Sequence, residues 1–472
     1  MSDLGDSYEV AVIGAGPAGM AAATVCAGAG LATVLLDEQA APGGQIYRAV
    51  GETPVQRAAI LGNDYWYGAR LVRALAASGA QHVPGATVWS LSRAREIGLS
   101  IDGAARLLQA SRVVIATGAL ERPFPIPGWT LPGVMTVGAG QVLLKTAALV
   151  PQGKLVLAGS GPLLWLLAWQ YLNAGVSLEA ILDTTPRANR RRALPYAAAF
   201  LLSPYWRKGL RLLWSVRRRA TVIGDVTALR AEGAGKLQEV VYRAGDGAET
   251  RLPADTLLLH QGVVPNVNLA MSLGIEHRWD DEQLCFVPQI DGYGGTSVDG
   301  VAIAGDGAGI AGAWAAEERG RLAALAAIRA LKPDAARDRL PDESRLRYAL
   351  AQVERGRLFL DALYRPADAF RLPQGDTLAC RCEEISAQQI IDTVKLGCTG
   401  PNQMKAFLRC GMGPCQGRLC GLTVTELIAQ ARGVPPGEVG HYRVRPPIKP
   451  ITLAELAGLP KDAAATKAVV RG

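Results

Sequence analysis

The segment Gly14-Ala15-Gly16-Pro17-Ala18-Gly19 constrains this chain more than any other stretch. It follows a β-rich run, Tyr8–Ile13, and opens an Ala-rich one, Met20–Ala29, after which Thr33–Leu36 is apolar again. Strand, glycine turn, helix and strand in that order make one βαβ unit, and the three glycines have separate duties in it. Gly14 permits the tight turn, Gly16 lets backbone approach a pyrophosphate, and Gly19 lets the helix pack close to the sheet. Pro17 and Ala18 lead into a helix whose N-terminal amides favour an anion. Asp37 closes the next strand, where a carboxylate accepts hydrogen bonds from an adenosine ribose, with Glu38 beside it as understudy.

A second unit lies far downstream. Lys154–Ala158 reads as a strand, Gly159-Ser160-Gly161 as a turn, the stretch to Leu172 as a helix, and Leu178–Leu182 as the next strand. Here Leu164 stands where the third glycine belongs and Trp165 follows it, which puts phosphate access and close packing in question. Asp183 is placed to hold a ribose 2′-hydroxyl. Three readings of Gly159, Gly161 and Asp183 stay open: nicotinamide turnover, a retained adenine-nucleotide site, or a relic that binds nothing. The expected fold class is α/β, with two Rossmann-like dinucleotide-binding domains and a small helical module. The first domain is discontinuous (1–135 and 288–332) and encloses the second (136–287); a helical linker (333–376), a Cys-rich module (377–432) and an extended tail (433–472) follow.

With 49% hydrophobic residues and a mean hydropathy of +0.14, fibrous and disordered classes are excluded. The apolar region Leu155–Leu172 is broken by Gly159, Gly161 and Pro162, so it is not a bilayer span, and the N-terminus shows no basic, cleavable signal. A cytoplasmic protein is expected, with peripheral attachment to the inner membrane left open. The net charge of +8 is concentrated: residues 187–219 hold ten Lys or Arg and no acid. No nucleic-acid motif accompanies this stretch, so nucleic acid is not expected as a partner. It reads as a solvated face or as a docking surface for an acidic partner or a membrane.

Six of the eight cysteines fall between 380 and 420, which in a reducing compartment suggests a metal site before disulfides. Cys380-Arg-Cys382 and Cys415-Gln-Gly-Arg-Leu-Cys420 supply two thiolate pairs suited to zinc or to a [2Fe–2S] cluster. Gly411-Met412-Gly413-Pro414 would bring backbone amides near the sulfurs, which favours the cluster. Cys398 and Cys410 are treated as spares, and Cys26 and Cys285 as inert core thiols. No Cys-x-x-Cys occurs, and the four histidines form no recognisable constellation, so no catalytic residue is assigned.

Gly14–Gly19, Gly43-Gly44-Gln45, Ala116-Thr117-Gly118 and Gly305-Asp306-Gly307 together resemble the signature of the two-dinucleotide-binding flavoproteins that include thioredoxin reductase. The resemblance implies FAD held by Gly14, Gly16, Pro17, Ala18, Gly19, Asp37, Glu38, Gly44, Gln45, Thr117, Gly118, Gly305 and Asp306, with Asp306 on the ribityl chain. CRCEEI and GMGPCQGRLC resemble the bacterioferritin-associated-ferredoxin type of [2Fe–2S] domain, which implies Cys380, Cys382, Cys415 and Cys420 as ligands. In full order the chain resembles the larger FAD-binding subunit of heteromeric bacterial amino-acid dehydrogenases, the group of opine oxidases, D-hydroxyproline dehydrogenase and hydrogen cyanide synthase. That implies an oxidoreductase subunit passing electrons from a D-amino-acid-oxidase-like FAD partner to a quinone or cytochrome acceptor, in a hetero-oligomer with room for a small third subunit. A second flavin or adenine nucleotide (FMN, NAD or ATP) is the further cofactor expected. The competing expectations are a self-sufficient NAD(P)H-dependent reductase and a non-catalytic nucleotide-binding scaffold.

Overall fold

The computed structural model describes residues 4–334 and 341–460. Its first sheet has seven strands, in the order Gln81–Val83, Thr33–Leu36, Ser7–Ile13, Ala104–Ile115, Glu96–Ile101 and Thr87–Leu91, with Val301–Ile303 added against Ala104–Ile115. The strands around Ser7–Ile13 are parallel. Val10-Ala11-Val12-Ile13 is buried on both faces, which is why its sequence is continuously apolar and not alternating. The helix Pro17–Gly28 lies on one face and packs against Ala313–Leu331 through small residues. A Cβ added at Gly320 would stand 2.2 Å from the Ala18 carbonyl oxygen, so the two backbones touch.

The second sheet is parallel throughout, in the order Val222–Ile223, Ala180–Asp183, Leu155–Ser160, Thr256–Gln261 and Val134–Thr136. Leu155–Ser160 is a fully buried strand and Pro162–Asn173 a helix, so the long apolar region divides at its glycines. The antiparallel pair Ala119–Glu121 and Val263–Pro265 carries the chain out of the first sheet's layer and back. Among the described residues no helix is long and apolar enough to cross a membrane.

The basic stretch folds as three α-helices, Arg187–Ala193, Ala197–Leu201 and Tyr205–Arg217, the first two joined by a 3-10 turn over Leu194–Tyr196. The last lies on Pro162–Asn173 and also reaches the first layer, where Lys208 pairs with Asp64 and Tyr205 stacks on Trp314 at 6.0 Å between centroids. Glu343–Glu354, Arg357–Leu363 and Asp368–Arg371 are the linker helices; residues 335–340 lie outside the described residues.

The Cys-rich module contains the helices Ala387–Lys395, Pro401–Leu408 and Gly421–Arg432, the first started by a capping box between Ser386 and Gln389. The segment after it departs from the extended tail expected. It carries two short helices, Pro436–Val439 and Leu453–Ala457, the second set by a Thr452–Glu455 capping box. Tyr442, Val444 and Ile448 are buried in one core with Val424, Leu427 and Ile428 of the module, so burial holds the segment down. The last part of the expected tail, residues 461–472, lies outside the described residues.

Candidate functional site

The first glycine turn is built by close approach. A Cβ on Gly14 (φ +104°) would meet the Ala116 carbonyl oxygen at 2.6 Å, and one on Gly19 would stand 1.8 Å from the Gly14 carbonyl oxygen. Gly19 therefore sets the distance between helix and strand, while Gly16 leaves open space in front of Gly44. The helix Pro17–Gly28 begins on Gly16 with no side-chain cap and no acid in its first turn, so its free amides are available to an anion.

These features open on a cavity of about 2070 Å³. All the expected flavin residues except Gly19 line it: Gly14, Gly16, Pro17, Ala18, Asp37, Glu38, Gly44, Gln45, Thr117, Gly118, Gly305 and Asp306. Gly19 acts from behind, through helix spacing. Asp37 is buried, and its Oδ1 accepts from the Gln39 amide at 3.2 Å while Oδ2 has no protein partner. Burial pushes its carboxyl up, against the pull of the Gln39 amide, Arg48, the Ala15 amide and Lys449. An orphaned, buried carboxylate oxygen at the end of the second strand is what a ribose hydroxyl would satisfy, so the residues fit an adenine dinucleotide. Glu38 instead pairs with Lys449 of the C-terminal segment. Asp306 Oδ1 accepts from the amides of Ala311 and Gly312, both at 2.9 Å, fixing the turn before Ala313–Leu331.

Two residues that the sequence did not single out border this cavity. Lys145 is 1% exposed and donates to the carbonyls of Gln45 (3.2 Å) and Ile46 (2.9 Å) and to Gln141 Oε1 (2.7 Å). Burial pulls its ammonium down to about 7, with Arg48 adding repulsion. A lone cation in the apolar run Gln141-Val-Leu-Leu-Lys145 was the available signal. Glu121 joins His260 Nδ1 at 2.6 Å and accepts from the Gly138 amide at 2.9 Å. These two are 139 positions apart in the chain, so no local pattern announces them.

The second turn is differently disposed. Gly159 and Asp183 are directly paired across two parallel strands, and Gly159 is needed because a Cβ there would lie 1.6 Å from the His260 carbonyl oxygen. Leu164 is wholly buried in the core beneath the helix, and Trp165 packs beside it. Leu164, expected to crowd the turn, is packed into the core, and the ring of His260, 3.5 Å from a Cβ on Gly161, faces the turn. Gly159, Gly161 and Asp183 do not border the large cavity, whereas Pro162, Leu163 and Trp165 do.

In the Cys-rich module the sulfurs of Cys380, Cys410 and Cys420 lie within 4.8 Å of one another, all buried. The Cys380 thiolate accepts from the thiols of Cys410 and Cys420 and from the amides of Gly411 and Glu383, which pulls it down to about 2. Cys382 and Cys415 form an adjoining, less buried pair that also interact through their side chains. The four expected ligands thus lie in one module, but Cys410, treated as a spare, stands inside the sulfur group. The strand–loop path places it there because Gly411 and Gly413 let the loop fold tightly. A Cβ on Gly413 would stand 2.3 Å from Cys382 Cβ, and one on Gly411 would strike the Tyr442 ring at 2.5 Å. Cys398 stays apart and donates to the Gly400 carbonyl at 3.4 Å. Cys26 and Cys285 are buried, and burial pushes both thiols up to about 12, in keeping with inert core positions. A soft, buried, all-sulfur donor set fits zinc or an iron–sulfur cluster.

A mixed and a parallel sheet, a glycine turn under an orphaned carboxylate and a cavity between them define a dinucleotide-binding oxidoreductase, and the chain belongs to the pyridine nucleotide-disulphide oxidoreductase family, which matches residues 8–329. Residues 377–459 match the sarcosine oxidase A3 domain. Within the family its place is beside the A subunits of opine oxidases: it is 48% identical to the opine oxidase A subunit of Agrobacterium tumefaciens (strain Ach5), over 99% of this chain and 95% of that protein. It is 32% identical to the HcnB subunit of hydrogen cyanide synthase from Pseudomonas aeruginosa, over 96% and 99% of the two chains. The fold is that of L-proline dehydrogenase from P. horikoshii, with a TM-score of 0.72 at 20% identity, covering 95% of this chain and 79% of that one.

Proposed function

We propose that this chain is the electron-transferring subunit of a heteromeric amino-acid or secondary-amine dehydrogenase, carrying FAD in the large cavity and a [2Fe–2S] cluster in the Cys-rich module. Similarity along nearly the whole length to the opine oxidase A subunit supports this role. The observation that carries the cofactor reading is Asp37 Oδ2, buried and unpartnered beside an uncapped helix N-terminus. FAD would supply a two-electron carrier there, and the cluster a one-electron carrier on the sulfurs of Cys380, Cys382, Cys415 and Cys420, with Cys410 in reach. The chain's own residues would orient and shield these groups: Gly14 and Gly16 admit the pyrophosphate, Asp37 holds the ribose, and Asp306 meets the ribityl chain.

The electrons would come from a D-amino-acid-oxidase-like partner that oxidises the substrate's C–N bond, and would leave to a respiratory quinone or cytochrome. The basic stretch supports docking of that partner. Leu194, Leu201, Leu202, Leu210 and Trp214 are each more than half exposed among its arginines, an apolar patch ringed by positive charge. Co-purification from cells expressing the neighbouring oxidase-like subunit tests the proposal. The complex should contain FAD and iron, and the partner's amine substrate should bleach both flavin and cluster absorption anaerobically. Bleaching of the partner's flavin alone would refute the electron-transfer role.

A further inference from the structure

We propose that the Cys-rich module and the C-terminal segment complete the adenosine end of the nucleotide site, with Ile448 and Lys449 as binding residues, so that nucleotide occupancy and docking of the module are linked through Arg418. The inference rests on the reading of the first turn as an adenine-dinucleotide site and goes beyond it by assigning the wall opposite Asp37.

The wall has two sources. On one side are Leu36, Asp37, Glu38, Ala86 and Val88 of the first sheet and its connections; on the other are Arg418, Ile448 and Lys449. Neither side encloses a ligand alone. The far side is tied down by three contacts in series. Arg418, between Cys415 and Cys420, donates from Nη1 to the Ile448 carbonyl at 3.0 Å. The Ile448 amide donates to the Trp89 carbonyl at 2.8 Å, which joins the segment to the Thr87–Leu91 strand. Lys449 pairs with Glu38. A fourth contact, Asn268 Nδ2 to the Gln416 carbonyl at 2.9 Å, anchors the cysteine loop next to Leu269, itself a cavity residue.

The chemistry of the pair Glu38–Lys449 assigns the two adjacent carboxylates different tasks. Glu38 is committed to the ammonium, and Asp37 keeps one buried oxygen for a ribose hydroxyl. Ile448 and Val88 add apolar surface to the same cavity. A ligand that touches both walls binds the docked arrangement better than the undocked one, and reciprocity requires that docking strengthen its binding by the same factor. Disturbance at the sulfurs therefore reaches the nucleotide through Arg418, two positions from Cys420 and one carbonyl from Ile448.

The test uses the full chain in complex with its partner subunit, with FAD and ADP as probes. Lys449→Met and Arg418→Met should each raise the dissociation constant for FAD and for ADP about 2- to 5-fold, the order expected of one half-exposed charged contact. Hydrogen exchange of the wild-type complex gives a second readout that needs no variant: FAD or ADP should slow exchange of the amides of residues 444–451 as well as those of the first turn. Gly16→Val serves as reference. Full FAD retention in that variant would overturn the nucleotide reading itself. Loss of FAD in Gly16→Val, together with wild-type affinity in both Met variants and unchanged exchange over 444–451, would overturn the completed wall and leave the nucleotide reading standing.

Discussion

Replacing Lys145 by Met should change the pH dependence of stability in a direction that the surroundings of its ammonium dictate. The side chain is buried, and its pKa falls from 10.5 to about 7, chiefly by desolvation. At about 1.4 kcal/mol per unit, the folded state gives up about 5 kcal/mol relative to a chain in which this group is neutral, an order-of-magnitude figure. Between about pH 7 and 10.5 the unfolded chain holds a proton that the folded one lacks, so stability rises with pH across that window. The loss is complete below about pH 7 and absent above about 10.5. Met removes this dependence but leaves the carbonyls of Gln45 and Ile46 and Gln141 Oε1 without their donor. Buried orphaned acceptors cost ~1–3 kcal/mol each, partly recovered by water from the cavity. The variant should therefore be about 3 kcal/mol less stable than wild type near pH 10, and the deficit should vanish and then reverse toward pH 7. Urea denaturation of both proteins at about pH 6.5, 8 and 9.5 measures the difference, in which the titration of all other groups cancels. A deficit that is constant with pH, or greatest at the acid end, would refute the reasoning.

Cys380→Ser, Cys382→Ser, Cys415→Ser and Cys420→Ser should each lose or destabilise the cluster, and Cys410→Ser should alter its spectrum because that sulfur lies in the same group; Cys398→Ser should do neither. Iron and sulfide analysis with low-temperature paramagnetic resonance checks this, and stoichiometric zinc without iron in anaerobic wild-type protein would refute the redox role. Replacing Arg190, Arg191 and Arg192, which are exposed and do not border the cavity, with Gln should weaken assembly with the partner subunit in a salt-dependent way while FAD and iron contents stay constant; equal elution profiles at low and high salt would show a merely solvated face. NADH should reduce the flavin slowly, because the helix Tyr205–Arg217 bridges the two layers and the second turn does not border the cavity. Stopped-flow reduction faster than ~10 per second would favour the self-sufficient reductase.

The fold was legible wherever local chemistry had one solution. Gly14 and Gly19 stand between a strand and a helix, and a backbone that must pass within contact of Ala116 accepts no other residue there. The place of Asp37 at the end of the second strand was legible from the apolar run before it. Leu164 was not: a missing glycine reads as an obstruction, yet the side chain found room in the core under its own helix. The nearness of Cys410 to Cys380 and Cys420 was not legible, because spacing along the chain favours paired cysteines, whereas the turn through Gly411 and Gly413 decides which sulfurs meet. Glu121 with His260, and Glu38 with Lys449, are contacts across long sequence separations, and a single sequence holds no local signal for such pairs.

The packing of Tyr442 and His441 also bears on how the sulfur centre is made. A Cβ on Gly417 would stand 2.6 Å from the Tyr442 ring and one on Gly421 2.5 Å from His441, so the glycine-rich face of the cysteine loop is sealed by residues that leave the ribosome after all six clustered cysteines. A fragment cut at Arg432 would carry every cysteine of the module and leave that face of the loop uncovered.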